Sequence, residues 1–305
     1  MRSVALVVSI TIVVILFFTN CSQESAAEYE PLYTQTPLYK EKKVYTFGVH
    51  PLHNPQKLFE VYEPLIEYIN AHLEDATLRL EASRNYAAFD QKLSNRSLDF
   101  ALPNPYQTLM AMEKGYKVFA KMGDDSSFRG IFLVRKDANI TDVNQLKGQV
   151  VSYPAKTALA ATIMPQQYLY EHGIDVMHEL QNSYVGSQES SIMNVYLKKS
   201  IAGATWPPPW RAFQKEHPNI ANELEIAWET EPLINNSLVV KSDVPTALVE
   251  EIKKQLLLLH TRPEGKKILD AMELSHYVDA NCSDYDIVKE FMNKYNKLLH
   301  QELQQ

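Results

Sequence analysis

Tyr86, Asn104, Tyr106, Lys156, Thr157, Gln188, Trp206, Trp210 and Arg211 are the side chains whose types and positions suit the non-covalent capture of a small solute. A tyrosine donates a phenolic O–H while packing an apolar ring face. With seventeen tyrosines in the chain, residue type alone favours Tyr86 and Tyr106 as core aromatics, and their placement at strand ends is what raises the site reading. Lys156-Thr157 precedes a helical pattern over 159–171. A helix start carries unpaired N–H groups and roughly half a positive charge, which attracts anions. In the plainer reading, Thr157 is only an N-cap and Lys156 a solvated charge. Gln188 both donates and accepts and is never charged. Asn104 lies in the Pro103-Asn-Pro-Tyr106 turn. Thr205-Trp206-Pro-Pro-Pro-Trp210-Arg211 is read as an extended piece stiffened by its prolines. It offers an aromatic wall with Arg211 as a carboxylate or sulfonate clamp. The alternative is a rigid surface loop whose tryptophans fill a core.

Catalysis finds no such set. There is no G-x-S-x-G, no carboxylate pair at a turn and no Gly-rich phosphate loop. The nine His residues are scattered and form no H-E-x-x-H. The expectation is a binding protein without cofactor or metal, and not an enzyme.

The candidate side chains must be held by the elements before and after them. Val44–Val49 reads as a strand running into a turn at 50–53, and Asn54-Pro55 opens a helix with Pro64 as a kink. Strands and helices then alternate: strands at 77–81, 97–102, 116–121, 130–135, 150–153, 180–185, 201–204, 224–228 and 237–240, with helices dominating from 247. Such alternation predicts α/β architecture with mostly parallel sheets covered by helices. Ligands bind such sheets beyond the carboxyl ends of the strands, where the turns at 50–53, 103–106, 154–158, 186–188 and 205–210 fall.

The 305 residues suffice for two medium lobes, with 45% hydrophobic and 22% charged residues and a formal charge of −7. An evenly acidic exterior argues against nucleic acid. Met1-Arg2, the apolar run Val4–Phe18 and Thr19-Asn20-Cys21 have the layout of an export signal. Ending on Cys21, it resembles a bacterial lipoprotein signal, which implies lipid on Cys21, a membrane tether and a place outside the cytoplasm. An uncleaved anchor helix is the alternative. Residues 1–21 are then signal, and 22–43, polar and without apolar period, a tether. With Cys21 lipidated, Cys282 has no disulfide partner.

Several segments, in order, resemble the phosphate/phosphite/phosphonate-binding proteins of ABC importers. They are Phe47-Gly-Val-His-Pro, Asn85-Tyr86-Ala-Ala, Leu98-Asp-Phe-Ala, Pro103-Asn-Pro-Tyr106, Leu146-Lys-Gly148, Gly173-Ile-Asp175 and Ala202-Gly-Ala204. The resemblance implies a two-lobed periplasmic binding protein of type II, its lobes joined by two crossing strands. Lobe 1 would be 44–127 plus 229–305, and lobe 2 would be 128–228. It further implies that Tyr86 and Tyr106 hold an anion. The family's Ser-Thr-Ser-Gly helix start falls on Ala158-Leu159-Ala160-Ala161, and its His on Gln188. Losing those donors disfavours a fully charged phosphate. Two functions follow: a solute-binding lipoprotein serving an ABC importer permease, or a sensory input protein of the same fold read by a membrane kinase or receptor.

Overall fold

A computed structural model describes residues 42–302, and these fall within one compact unit. Cys21, the signal and all of the tether but Lys42 and Lys43 lie outside the described residues. No described helix is long and apolar enough to cross a membrane.

Two sheets organise the chain. Sheet 1 has the order β11-β4-β10-β3-β1-β2, and sheet 2 the order β7-β6-β8-β5-β9. Sheet 1 is built from β1 (Lys43–Val49), β2 (Ala76–Glu81), β3 (Phe100–Leu102), β4 (Tyr116–Met122), β10 (Ser237–Lys241) and β11 (Tyr277–Asp279). Sheet 2 comprises β5 (Ile131–Arg135), β6 (Val150–Tyr153), β7 (Gln181–Tyr184), β8 (Ala202–Thr205) and β9 (Leu224–Glu229).

The sheets are mixed rather than mostly parallel. β1 pairs in parallel with β2 and β3, and β6 with β7 and β8. β10, β11, β5 and β9 all pair antiparallel. Parallel neighbours need a helical crossover, whereas β5 and β10 arrive directly from the other sheet and can run the opposite way. The chain leaves sheet 1 after Met122 and returns after Glu229, and the two passages are bonded to each other. Met122 N–H donates to Asn236 O at 2.9 Å, Leu233 N–H to Phe128 O at 2.9 Å and Thr230 N–H to Gly130 O at 2.9 Å.

Each helix that matters for the site begins where a strand stops. α1 (Pro55–Asn70) is capped by Asn54 and runs through Pro64 without a break. α2 (Tyr86–Ser94) is capped by Asn85, whose side chain accepts from Ala88 N. α3 (Pro105–Glu113) has Asn104 and Gln107 in a reciprocal capping box, with Pro105 in its first turn. A π turn, Leu159–Ile163, leads straight into α4 (Met164–Glu171). α5 (Gln188–Tyr196) is capped by the Ser187 hydroxyl.

The Trp-Pro segment departs from the sequence expectation: Pro207–Glu216 is a helix, α6, with Trp206 as its N-cap residue. First-turn N–H groups have no intrahelical acceptor, so three prolines there cost no ladder bonds and pre-set the helical φ. α7 (Thr246–Leu258), α8 (Pro263–Ala271) and α9 (Asp286–Glu302) complete the chain.

Two glycines let these pieces close on one another. A Cβ on Gly203 in β8 would stand 2.6 Å from Ser191 O, so α5 lies directly against the strand. A Cβ on Gly130 would stand 2.6 Å from Ala160 O, so a crossing passage touches the π turn. The hydrophobic core of sheet 1 gathers Phe47, Phe100, Leu58, Leu65 and Ile252, and that of sheet 2 gathers Phe132, Val151, Tyr153 and Leu169. A further cluster joins the halves, with Tyr86, Phe89, Phe128, Leu159, Trp206 and Tyr285.

Candidate functional site

Between the sheets lies a small cavity lined by His50, Tyr86, Asn104, Phe128, Ala158–Ala161, Gln188, Trp206 and Asn236. Its volume is about 10 Å³, close to the least that holds one water. Five of its positions are helix starts. Tyr86 and Gln188 are the first residues of α2 and α5, while Asn104, Ala158 and Trp206 are the N-cap residues of α3, the π turn and α6. Each helix brings the positive end of its dipole toward the same point. No Lys or Arg lines the cavity.

The helix starts differ in what they can donate. In α6 the first three positions are proline and the N–H of Trp210 goes to Trp206 O at 3.3 Å, so that end presents an indole wall rather than donors. The π turn offers backbone N–H groups beside the Cβ atoms of Ala158, Ala160 and Ala161, with no side-chain cap. Trp206 packs on Phe128 with ring centroids 5.5 Å apart.

Direct bonds cross the cavity. Gln188 Nε2 donates to the Tyr86 phenol oxygen at 3.3 Å, and Thr205 Oγ1 donates to Gln188 Oε1 at 2.8 Å, fixing the amide's orientation. The Tyr86 oxygen is an acceptor in that bond, so its own proton is available to a third group. Burial, and to a lesser extent Asp90, push that phenol well above its ordinary range. Asn104 Nδ2 donates to Thr157 O at 2.8 Å, and Thr157 Oγ1 to Asp90 Oδ2 at 3.1 Å. Asp90 also accepts from Gln107 Nε2 at 2.6 Å, while burial raises its carboxyl.

Tyr86, Asn104, Gln188 and Trp206 are thus brought together, and the others stand elsewhere. Thr157 is one residue outside the lining and bonds across the halves rather than into the cavity. Lys156 is exposed, with its ammonium 5.5 Å from the Tyr184 ring centroid. Tyr106 is half-buried on α3 against the shared cluster, not in the lining. Trp210 belongs to the core of sheet 2, among Ile131, Leu133 and Val195, and stacks on Phe213. Arg211 does clamp a carboxylate, but the protein's own: its Nε donates to Glu273 Oε2 at 3.0 Å, and Lys215 pairs with the same group. With Lys57–Glu216 and the Asn54–Glu189 bond, this pair ties the two halves together.

His50, Phe128 and Asn236 line the cavity without having been singled out from sequence. His50 opens the turn after β1, so its place at a strand end was the available signal. Asn236 and Phe128 sit on the crossing passages, whose path no local pattern announces.

The chain matches the family described as ABC transporter, phosphonate, periplasmic substrate-binding protein over residues 47–285. It is 22% identical over 278 residues to the probable ABC transporter phosphite binding protein PhnD1 of Prochlorococcus marinus (strain MIT 9301), covering 86% of this chain and 93% of that protein. The structure of PhnD1 in complex with methylphosphonate superposes with a TM-score of 0.76 at 21% identity, over 84% of this chain and 99% of that one. A binding protein component of a phosphonate ABC transporter from Pseudomonas aeruginosa gives a TM-score of 0.78 at 14% identity, over 85% and 88% of the two chains. The fold is therefore that of the two-lobed periplasmic binding proteins. The family match spans most of the chain, and this protein belongs to the periplasmic substrate-binding proteins of ABC phosphonate transporters, a family of binding proteins rather than enzymes.

Proposed function

We propose that this chain is the solute-capturing lipoprotein of an ABC importer, anchored through Cys21, and that it takes a small phosphonate-like oxyanion between its sheets. The observation that carries the reading is the convergence of five helix starts, from both halves, on one cavity without a cationic side chain. Helix ends and neutral donors hold an anion without a salt bridge. A ligand would enter as the Tyr86–Gln188 and Asn104–Thr157 bonds are exchanged for bonds to its oxygens. The lobes in this reading are 44–127 plus 229–305 and 128–228, hinged at the bonded passages. Closure is then a population shift driven by contacts to both walls.

Calorimetry of the full-length protein with methylphosphonate, phosphite and inorganic phosphate tests this. With Ala158 and Ala160 lacking hydroxyls, the expected dissociation constants are roughly 10 μM or weaker, equivalent to less than ~7 kcal/mol. Tyr86→Phe should weaken binding by ~1–3 kcal/mol, the cost of leaving a buried partner unsatisfied. Nanomolar phosphate affinity overturns the weak-oxyanion assignment, and no binding of any of the three overturns the ligand class. For the anchor, Cys21→Ser should release the protein from membranes or leave its precursor unprocessed. Unchanged fractionation and N-terminal mass would remove the lipid.

A further inference from the structure

The geometry points to His50 as the residue that selects an oxyanion still carrying one hydroxyl, a hydrogen-phosphonate or hydrogen-phosphite monoanion, by accepting that hydroxyl's hydrogen bond at Nε2. The inference rests on the cavity being the oxyanion site. His50 is buried in the lining, and its Nδ1 lies 2.9 Å from Leu102 O. A carbonyl only accepts, so the proton is on Nδ1 and the neutral ring presents a bare lone pair at Nε2. The tautomer follows from β3 ending where β1 ends, since the same carbonyl also accepts the His50 N–H at 3.1 Å.

A second acceptor stands in the same lining. Asn236 is fully buried; its Nδ2 contacts Met122 Sδ at 3.4 Å, and its Oδ1 has no partner. The donors are the free Tyr86 proton beside His50, whose ring lies 6.1 Å away, and, across the cavity, Gln188 Nε2 and the N–H groups of the π turn. A dianion whose terminal oxygens all accept would set a lone pair against Nε2, with no Lys or Arg in the lining to offset it. A ligand hydroxyl turns that repulsion into a bond.

The titratable groups around His50 are His53 on the same turn and Tyr86 on α2, with Asp90 beyond Tyr86; beyond His53 stand Lys57 and Glu216. From β10, the crossing passages and the helices of sheet 2, only Asn236, Phe128, Ala158–Ala161, Gln188 and Trp206 face the cavity, and none titrates. Burial holds both His50 and His53 down at about 4, so both are neutral where phosphonates lose their second proton.

The test is calorimetry of the full-length protein from about pH 6 to about pH 9 with methylphosphonate, phosphite and hypophosphite, the last a monoanion with no hydroxyl. Affinity for the first two should be flat below each ligand's second ionisation and fall about tenfold per pH unit above it. The break should come at lower pH for phosphite, the stronger acid. Hypophosphite should bind about tenfold weaker than phosphite near pH 6, and His50→Phe should bring that ratio toward one. Should that variant fail to fold, the wild-type pH series with two ligands decides alone. Affinity that holds or rises through the ligand's ionisation, a break at one pH for both ligands, or hypophosphite as tight as phosphite overturns the assignment while leaving the oxyanion reading intact. No binding of any of the three at any pH overturns both.

Discussion

Facing walls of the cavity start from the same device, a strand that ends in a helix start, and carry opposite side chains. The wall on sheet 1 presents His50, Tyr86 and Asn104, joined from the returning passage by Asn236. The wall on sheet 2 presents Ala158, Leu159, Ala160, Ala161 and Trp206, with Gln188 as its single polar side chain. Directional bonds come from the first, whereas the second supplies shape, helix-end charge and exclusion of water. A ligand bonded to one wall and enclosed by the other rewards closure only when both meet, which suits a capture protein. On the sheet 2 side the donors are Gln188 and the backbone N–H groups of the π turn, since α6 gives no N–H groups in its first three positions.

The largest expected effect lies on the apolar wall. Trp206→Ala removes a buried indole that packs on Phe128, and should lower unfolding stability by ~3–5 kcal/mol in urea titrations. A loss below about 1 kcal/mol would mean that the wall is dispensable scaffolding.

On the polar wall, His50 should make stability depend on acid. Its folded value is about 4 against 6.5 for the free side chain, chiefly because burial disfavours the charge. Between these values the unfolded chain takes up a proton that the folded chain refuses. Its contribution is therefore complete above about pH 6.5 and lost as pH falls to about 4, by roughly 3 kcal/mol. Urea unfolding at a series of pH values checks it, and in His50→Phe the slope across this window should lessen, with His53 still titrating there.

Converting one wall toward the other is a smaller change. Ala160→Ser places a hydroxyl at the π turn and should tighten phosphite or methylphosphonate binding by ~1 kcal/mol. Unaltered affinity would show that the ligand leans only on sheet 1. Smallest of all, Tyr106→Phe should shift ligand affinity by less than about 0.5 kcal/mol, because the phenol lies outside the lining. A loss comparable to that of Tyr86→Phe would extend the polar wall to α3.

Strand–helix alternation, the order of the apolar segments and the turns at strand ends were legible because they rest on local period and on capping residues such as Asn54, Asn85 and Asn104. Tyr86, Asn104 and Gln188 could be marked from sequence because a helix start after a strand is written in adjacent residues, and Trp206 because it follows a strand, although its segment reads as extended. What the chain could not announce was direction and company. Prolines 207–209 carry the same φ in an extended piece and in a first helical turn, and the packing of Trp210 into sheet 2 decides for the helix. Arg211 has the same charge whether it meets a solute or Glu273, a partner 62 residues away. His50 becomes an acceptor only because β3 pairs with β1 and sets the Leu102 carbonyl against Nδ1. The sequence by itself determined most of the elements, since these follow from neighbours along the chain, and the class of binding protein through the ordered segments that resemble a family. Tertiary structure alone decided which polar atoms share one cavity and which are already spent on each other, because hydrogen-bond partners are chosen by proximity in space.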